Sequence, residues 1–274
     1  MFATLSVRAP SAVRRPAFFR SSKSAVVLIC AVSLAGAQEA ERPSASVTMP
    51  FRAGEKFTYD ASFGIIRVGS GTIELSGFDT VRSRLAWRAT MTVSGGLPLY
   101  RVRDSTVSWF DVRSLSSLRY VQHLREGSYR ADRDYEIYPE RSTFSKNGKP
   151  ESPSVAEPLD ETSFLFFLRI IPLELGKSYV FSRYFQPEGN PVVINVLRRE
   201  RIKVPAGTFN TIVVQPQIAA PGLFSKKEHA EVWITDDSAR MVVQIKSHVT
   251  FGSLRLALRR YEPGIGGGAS RTGH

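Results

Sequence analysis

Residues 191–218, PVVINVLRRERIKVPAGTFNTIVVQPQI, read as two strands and the turn between them. Val192, Ile194 and Val196 alternate with Val193, Asn195 and Leu197, and the run continues through Glu200, Ile202 and Val204. Pro205-Ala206-Gly207-Thr208 then breaks it. Proline presets φ early in a turn and Gly207 can take a positive φ, so Phe209–Ile218 returns antiparallel. Downstream, Asp236-Asp237-Ser238 separates Ala230, Val232 and Ile234 from Val243, Ile245, Ser247 and Val249, and Gly252-Ser253 introduces Leu254, Leu256 and Leu258. Short alternating runs joined by turn residues describe a meander.

The same texture extends upstream. Phe57, Tyr59 and Ala61 alternate with polar residues, and Ile65–Leu75 follows with Gly69 and Gly71 on one face. Two glycines in a strand cost stability, so they imply a bulge, a close approach or, in the reading preferred here, a bend. Leu85, Trp87, Ala89, Met91 and Val93 alternate with Arg84, Arg88, Thr90 and Thr92, the pattern of a sheet with one face on a core. Tyr100–Phe110 and Leu118–Arg125 are the next strands. Gly127-Ser128 turns the second into Tyr129, Ala131, Arg133, Tyr135 and Ile137, whose opposite face (Arg130, Asp132, Asp134, Glu136) is assigned to solvent.

One segment departs from period two. Leu159–Ile171 reads as a helix, capped by Asp160, with Glu161 at its positive end and Pro172 as its stop. Phe164, Leu165, Phe166, Phe167, Leu168, Ile170 and Ile171 make it apolar nearly all round, so it must be enclosed. The expected fold is mostly β: a single antiparallel, strongly curved sheet or incomplete barrel with one buried helix on its concave face.

The ends differ from the middle. Arg8, Arg14, Arg15, Arg20 and Lys23 come without acids, Ala25–Leu34 is apolar, and Ala35-Gly36-Ala37 has the small-x-small form of a cleaved leader. Residues 1–37 are therefore read as a signal peptide, 38–50 as a linker, 51–261 as the β domain and 262–274 as a flexible tail. The protein is expected to be exported, to the periplasm or cell envelope. Losing five leader cations takes the formal charge from +12 to about +7, and Cys30, the only cysteine, leaves with them. The mature fold would then have no disulfide and must be held by its core.

Chemistry is sparse. His123, His229 and His248 stand apart from one another, and no H-E-x-x-H, G-x-S-x-G, phosphate-loop or dinucleotide pattern occurs. We therefore expect no enzyme activity, catalytic residue, cofactor or metal. Asp160-Glu161-Thr162-Ser163 is explained by helix capping. The leading expectation is an apolar or amphipathic, lipid-like ligand held between sheet and helix by Trp87, Met91, Phe164, Phe167, Leu168, Leu223 and Phe224. Leu223 and Phe224 sit in a loop where large apolar side chains either fold back or meet an apolar partner. Lys226, Lys227, Arg255 and Arg259 are the candidates for an anionic partner such as a membrane surface. No recognised nucleic-acid module accompanies the basic residues, and nucleic acid is not expected. The alternative is a structural or assembly protein that meets an envelope protein through its outer sheet face and edges.

Four motifs carry a family resemblance: Phe51-x-x-Gly54-Glu55-x-x-x-Tyr59, Asp160-x-x-Ser163-x-x-Phe166-x-Leu168-Arg169, Val204-Pro205-Ala206-Gly207-Thr208-Phe209, and Val232-Trp233-Ile234-Thr235-Asp236-Asp237. Together they resemble the bacterial exported family catalogued as domain of unknown function 3108, over about Phe51–Tyr261. The resemblance implies a leader and a β-rich fold and brings no activity and no catalytic residue. Arg240-Met241-Val242 departs from the proline common in the family after the Asp-Asp turn.

Overall fold

The computed structural model describes residues 49–97, 100–220, 224–249 and 252–265. The strands are β1 (Glu55–Phe63), β2 (Ile66–Val81), β3 (Arg84–Leu97), β4 (Tyr100–Asp111), β5 (Ser117–Glu126), β6 (Tyr129–Tyr138), β7 (Thr143–Lys146) and β8 (Ser152–Pro153), then, after one helix, α1 (Glu161–Leu168), come β9 (Ser178–Phe181), β10 (Val192–Val204), β11 (Gly207–Gln217), β12 (Glu231–Thr235), β13 (Val242–Val249) and β14 (Gly252–Glu262). All fourteen lie in one antiparallel sheet, ordered β8 back to β1 and then β14 back to β9. Each half is a plain meander. The halves are joined by β1 against β14, where Phe57 faces Tyr261 and Phe63 faces Leu254.

The sheet curls but does not close into a barrel; β8 and β9 remain its edges. Between them runs the segment that carries α1. Leu159 bridges Tyr184 in parallel, its N–H donating to the Arg183 carbonyl at 2.5 Å and its carbonyl accepting from Phe185 N–H at 3.0 Å. The Ser154 hydroxyl donates to the Phe185 carbonyl at 2.6 Å. The connection between the edges thus supplies polar partners along the seam, one way of keeping an open edge from recruiting another chain.

The helix is shorter than the expected 159–171. Leu159 is used as a strand-like partner, and at the other end Arg169 is the C-cap, its N–H reaching the carbonyls of Phe166 and Phe167. Helical pairing therefore stops before Pro172. The expected cap is present: Asp160 accepts from the N–H groups of Thr162 and Ser163, and the Ser163 hydroxyl accepts from the Asp160 N–H. Thr162 to Leu168 are all buried. Apolar residues facing α1 from β1, β3, β4, β10, β11, β12 and β13 join it in one continuous core.

Gly69 answers a different need from the bend read in the sequence. It pairs with Gly95 of β3, and a Cβ on Gly69 would stand 2.1 Å from the Ser94 carbonyl oxygen. Close backbone approach excludes a side chain there. Register shifts fall nearby, between Ala61 and Ser62 and between Leu75 and Gly77.

The fold runs slightly past both expected boundaries. Met49 packs against the core, the Pro50 carbonyl accepts from Arg169, and Ile265 N–H donates to the Ala53 carbonyl at 2.9 Å. The expected leader, the expected linker up to residue 48 and the expected tail from residue 266 lie outside the described residues.

Candidate functional site

The floor of the bowl is a sealed contact between α1 and the sheet. Phe166 meets Phe51 edge-on at 5.1 Å between ring centroids and Phe110 at 5.3 Å, and Phe164 lies 5.4 Å from Phe224. Of the residues proposed for a ligand, Trp87, Phe164, Phe167, Leu168 and Phe224 are buried in this core. Phe224 folds back onto the helix. Leu223 lies outside the described residues. The space left between α1 and β1, lined by Phe57, Tyr59, Ile73, Leu165, Phe166, Arg169 and Val242, is about 10 Å³. That is no more than a single water would need.

One end of the floor is pinned by a buried ion pair. Arg169 donates through Nη1 to Glu55 Oε2 at 2.7 Å and through Nη2 to Glu55 Oε1 at 2.9 Å, and both side chains are only 2% exposed. Its other donors reach the carbonyls of Pro50, Ala239 and Arg240 at 2.8, 2.9 and 3.0 Å. The Tyr261 hydroxyl adds a bond to Glu55 Oε1 at 2.9 Å, and burial beside Glu55 pushes that phenol up to about 12. The β12–β13 turn that offers the two carbonyls is itself held by Asp237, which accepts from Thr235 Oγ1 and from the N–H groups of Ala239 and Arg240. Residues from three of the four family motifs meet at this knot. Its groups are mutually satisfied, which is the condition under which a buried pair is tolerated.

Above the helix the concave face changes character. Register places Met91 opposite Thr106, Val93 opposite Asp104, Thr106 opposite Gln122 and Gln122 opposite Arg133, so these side chains share the inner face. Phe63, Met91, Val93, Val102, Leu124 and Leu254 are half-buried there, where their counterparts along the helix are buried. On β4 to β6 polar side chains are interleaved with Val102 and Leu124. Arg133 donates to Gln122 Oε1 at 3.2 Å and to the Tyr129 hydroxyl at 2.7 Å, and Gln122 Nε2 donates to the Tyr120 hydroxyl at 3.0 Å. Burial, and then a hydrogen bond with Asp104, raises the Glu126 carboxyl above its usual range, while Arg133 opposes the shift.

This polar file leads down to the start of α1. Burial raises the Tyr120 phenol well above its usual value, with the charges of Glu161 and Asp160 adding to it. Tyr184 donates to Glu161 Oε1 at 2.9 Å, while Glu161 Oε2 is enclosed without a partner among the described residues. Asp160 accepts from the hydroxyls of Ser108 at 2.5 Å and Ser117 at 2.7 Å. Burial outweighs those bonds and lifts its carboxyl to about 6. Sequence reading assigned Asp160 to capping and left Gln122, Glu126 and Arg133 without a role. The inner-face parity of Tyr129, Ala131 and Arg133 was the available signal, since an arginine in phase with core residues is anomalous.

The basic candidates are not gathered into one bare patch. Lys226, Lys227, Arg255 and Arg259 are all exposed, yet Arg259 donates to both oxygens of Asp60, at 2.6 and 2.8 Å, and Arg255 reaches the Ser62 hydroxyl at 3.4 Å. Arg198 pairs with Glu200 and Glu231, and Arg199 with Asp236.

The fold has relatives among solved structures. A beta-barrel-like protein of domain of unknown function DUF1849 from Brucella abortus superposes with a TM-score of 0.51 at 8% identity, covering 78% of this chain and 98% of that one. A structure titled "putative lipoprotein" from Parabacteroides distasonis gives 0.33 at 10% identity, covering 78% and 99%. One titled "putative exported protein with YmcC-like fold" from Bacteroides fragilis gives 0.31 at 12% identity, covering 79% and 99%. The first of these shows a shared fold. No curated protein matches the chain. The model of the family described as protein of unknown function (DUF3108) matches residues 58–259, and with three of its motifs converging on the Arg169–Glu55 knot, the chain belongs to that family.

Proposed function

We propose that this is an exported, non-enzymatic protein of the periplasm or cell envelope that holds an amphipathic, lipid-like ligand in the mouth of the bowl. The observation that carries the reading is the divided lining above α1. Apolar side chains from β1, β3 and β14 face a mixed wall on β4 to β6, where Asp104, Gln122, Glu126, Tyr129 and Arg133 are interleaved with Val102 and Leu124. An acyl chain would lie against the first wall and a polar head would meet Arg133 on the second. Because side chains fill the contact between helix and sheet, the ligand is assigned to the space above α1 rather than beneath it. Native mass spectrometry of the protein as recovered from cells, with uptake of a fluorescent fatty acid, tests this. Co-purifying lipid, and uptake weakened by Val93→Trp or Arg133→Ala, is expected; no lipid and no uptake would end it.

One observation favours the alternative of an envelope assembly protein: the packed floor would make a rigid scaffold, and β9 at the rim of the sheet keeps Val180 exposed beside the filled seam. Crosslinking from β9 positions such as Val180, which is 63% exposed, would capture one recurrent envelope partner under that reading.

A further inference from the structure

The strand ends opposite the Arg169 knot form a second surface at the rim of the mouth, meeting the mouth lining at Val102 and Tyr129. The β1–β2, β3–β4, β5–β6 and β13–β14 hairpins all turn on the same margin of the sheet, as the pairings Phe63 with Ile66, Leu97 with Tyr100, Glu126 with Tyr129 and Val249 with Gly252 require. Hairpin tips normally carry small polar residues. Here Ile65 is fully exposed at the first tip and Ile66 is 59% exposed, while Tyr100 and Tyr129 are 51% and 47% exposed at the next two. Tyr100 lies across Gly127, where a Cβ would stand 2.8 Å from its ring. The β3–β4 and β5–β6 tips therefore touch, and the apolar groups stand on a common platform.

Just below these tips lies a groove of about 770 Å³ whose lining includes Arg67, Ser70, Ser94, Arg101 and Arg103, with Gly69 and Gly95 between them and Val102 on the side of the mouth. That volume lies within the roughly 300–1,000 Å³ of small-molecule sites. Three cations and two hydroxyls converge on backbone that glycines leave bare. Arg67 shares Asp60 with Arg259, whereas Arg101 and Arg103 are exposed and have no carboxylate partner among the described residues. Cations beside exposed isoleucine and tyrosine suit a surface that is anionic at its face and apolar behind it.

We propose that this margin docks on an anionic phospholipid bilayer, Ile65, Ile66, Tyr100 and Tyr129 entering the interface while Arg67, Arg101 and Arg103 bind lipid phosphates. The docking does not depend on a ligand in the mouth. The test is co-sedimentation of the full chain with vesicles of equal phosphatidylglycerol and phosphatidylcholine, against phosphatidylcholine alone, so that the N-terminal segment is common to every comparison. Binding should require the anionic lipid and weaken with salt. Arg101→Glu/Arg103→Glu should weaken it about ten-fold or more, taking roughly a few-fold per cation neutralised. Ile65→Trp, at a fully exposed position, should show a blue-shifted emission quenched by brominated lipid. Equal binding to both vesicle types would overturn the proposal, as would full binding by the double variant or loss only in Lys226→Glu/Lys227→Glu. Displacement by millimolar inorganic phosphate, with no quenching at Ile65→Trp, would reassign the groove to a soluble phosphate and also end it. Unchanged fatty-acid uptake by the double variant would separate this failure from that of the mouth.

Discussion

The two ends of the bowl are made from the same strands and are opposite in kind. At the knot end, Arg169 has its donors taken, Glu55 is shared with Tyr261, and aromatic rings enclose the pair, with Phe57 5.3 Å and Phe51 5.4 Å from the guanidinium. At the hairpin end, Arg101 and Arg103 have no carboxylate partner among the described residues, and Ile65 and Ile66 lack cover. Satisfied burial fixes a fold, and unsatisfied exposure marks a surface left for something else. Three of the four family motifs gather at the first of these ends.

Removing Arg169 should break the contrast most severely. Arg169→Met leaves Glu55 buried and unpaired, and denaturant unfolding should show a loss of about 3–5 kcal/mol. Adding Glu55→Leu to that variant should recover part of the loss; a fully additive double variant would show that the two side chains are not acting as a pair. Next, Phe164→Ala should cost about 3–4 kcal/mol, because the helix and Phe224 cannot both collapse into the space.

A smaller effect depends on pH. The Asp160 carboxyl is raised from 3.8 to about 6 in the fold, so the native state holds its proton more tightly than the unfolded chain. The associated stability is full below pH 4 and lost as pH rises through 6, about 3 kcal/mol in all. Asp160→Asn should remove that slope in urea melts collected across the window. The smallest changes belong to the mouth. Val93→Ala and Arg133→Ala should each cost less than about 1 kcal/mol, and a cost near that of Phe164→Ala would mean that the mouth is as closely packed as the floor.

Much of the fold could be read from alternation and turn chemistry. The meander of β10 to β14, the capped helix and its enclosure follow from local residues. The pairing of β1 with β14 does not, because nothing near Phe57 specifies Tyr261 as its neighbour. The seam at Leu159 escaped for a related reason: the residue continues the helical apolar pattern but is taken by a partner 25 positions later, Tyr184. Arg169 belongs to a motif, yet its partner Glu55 lies 114 residues away. The candidate site was less legible still. Apolar periodicity selects core residues, so it chose Phe164, Phe167 and Leu168, which complete the floor. The mouth is mixed in polarity, and Gln122, Glu126 and Arg133 look like ordinary strand residues until register aligns them.

The order of strands has a topological consequence. The first and last strands among the described residues, β1 and β14, lie side by side in the interior of the sheet, and the open seam lies between strands from the middle of the sequence. Each zigzag could assemble from neighbours alone, but stitching them together must await β14, a long-range closure that slows folding. A circular permutant linking Ile265 to Met49 and opened between Lys146 and Ser152 would turn that late stitch into a local one. It should refold faster while leaving the bowl unchanged.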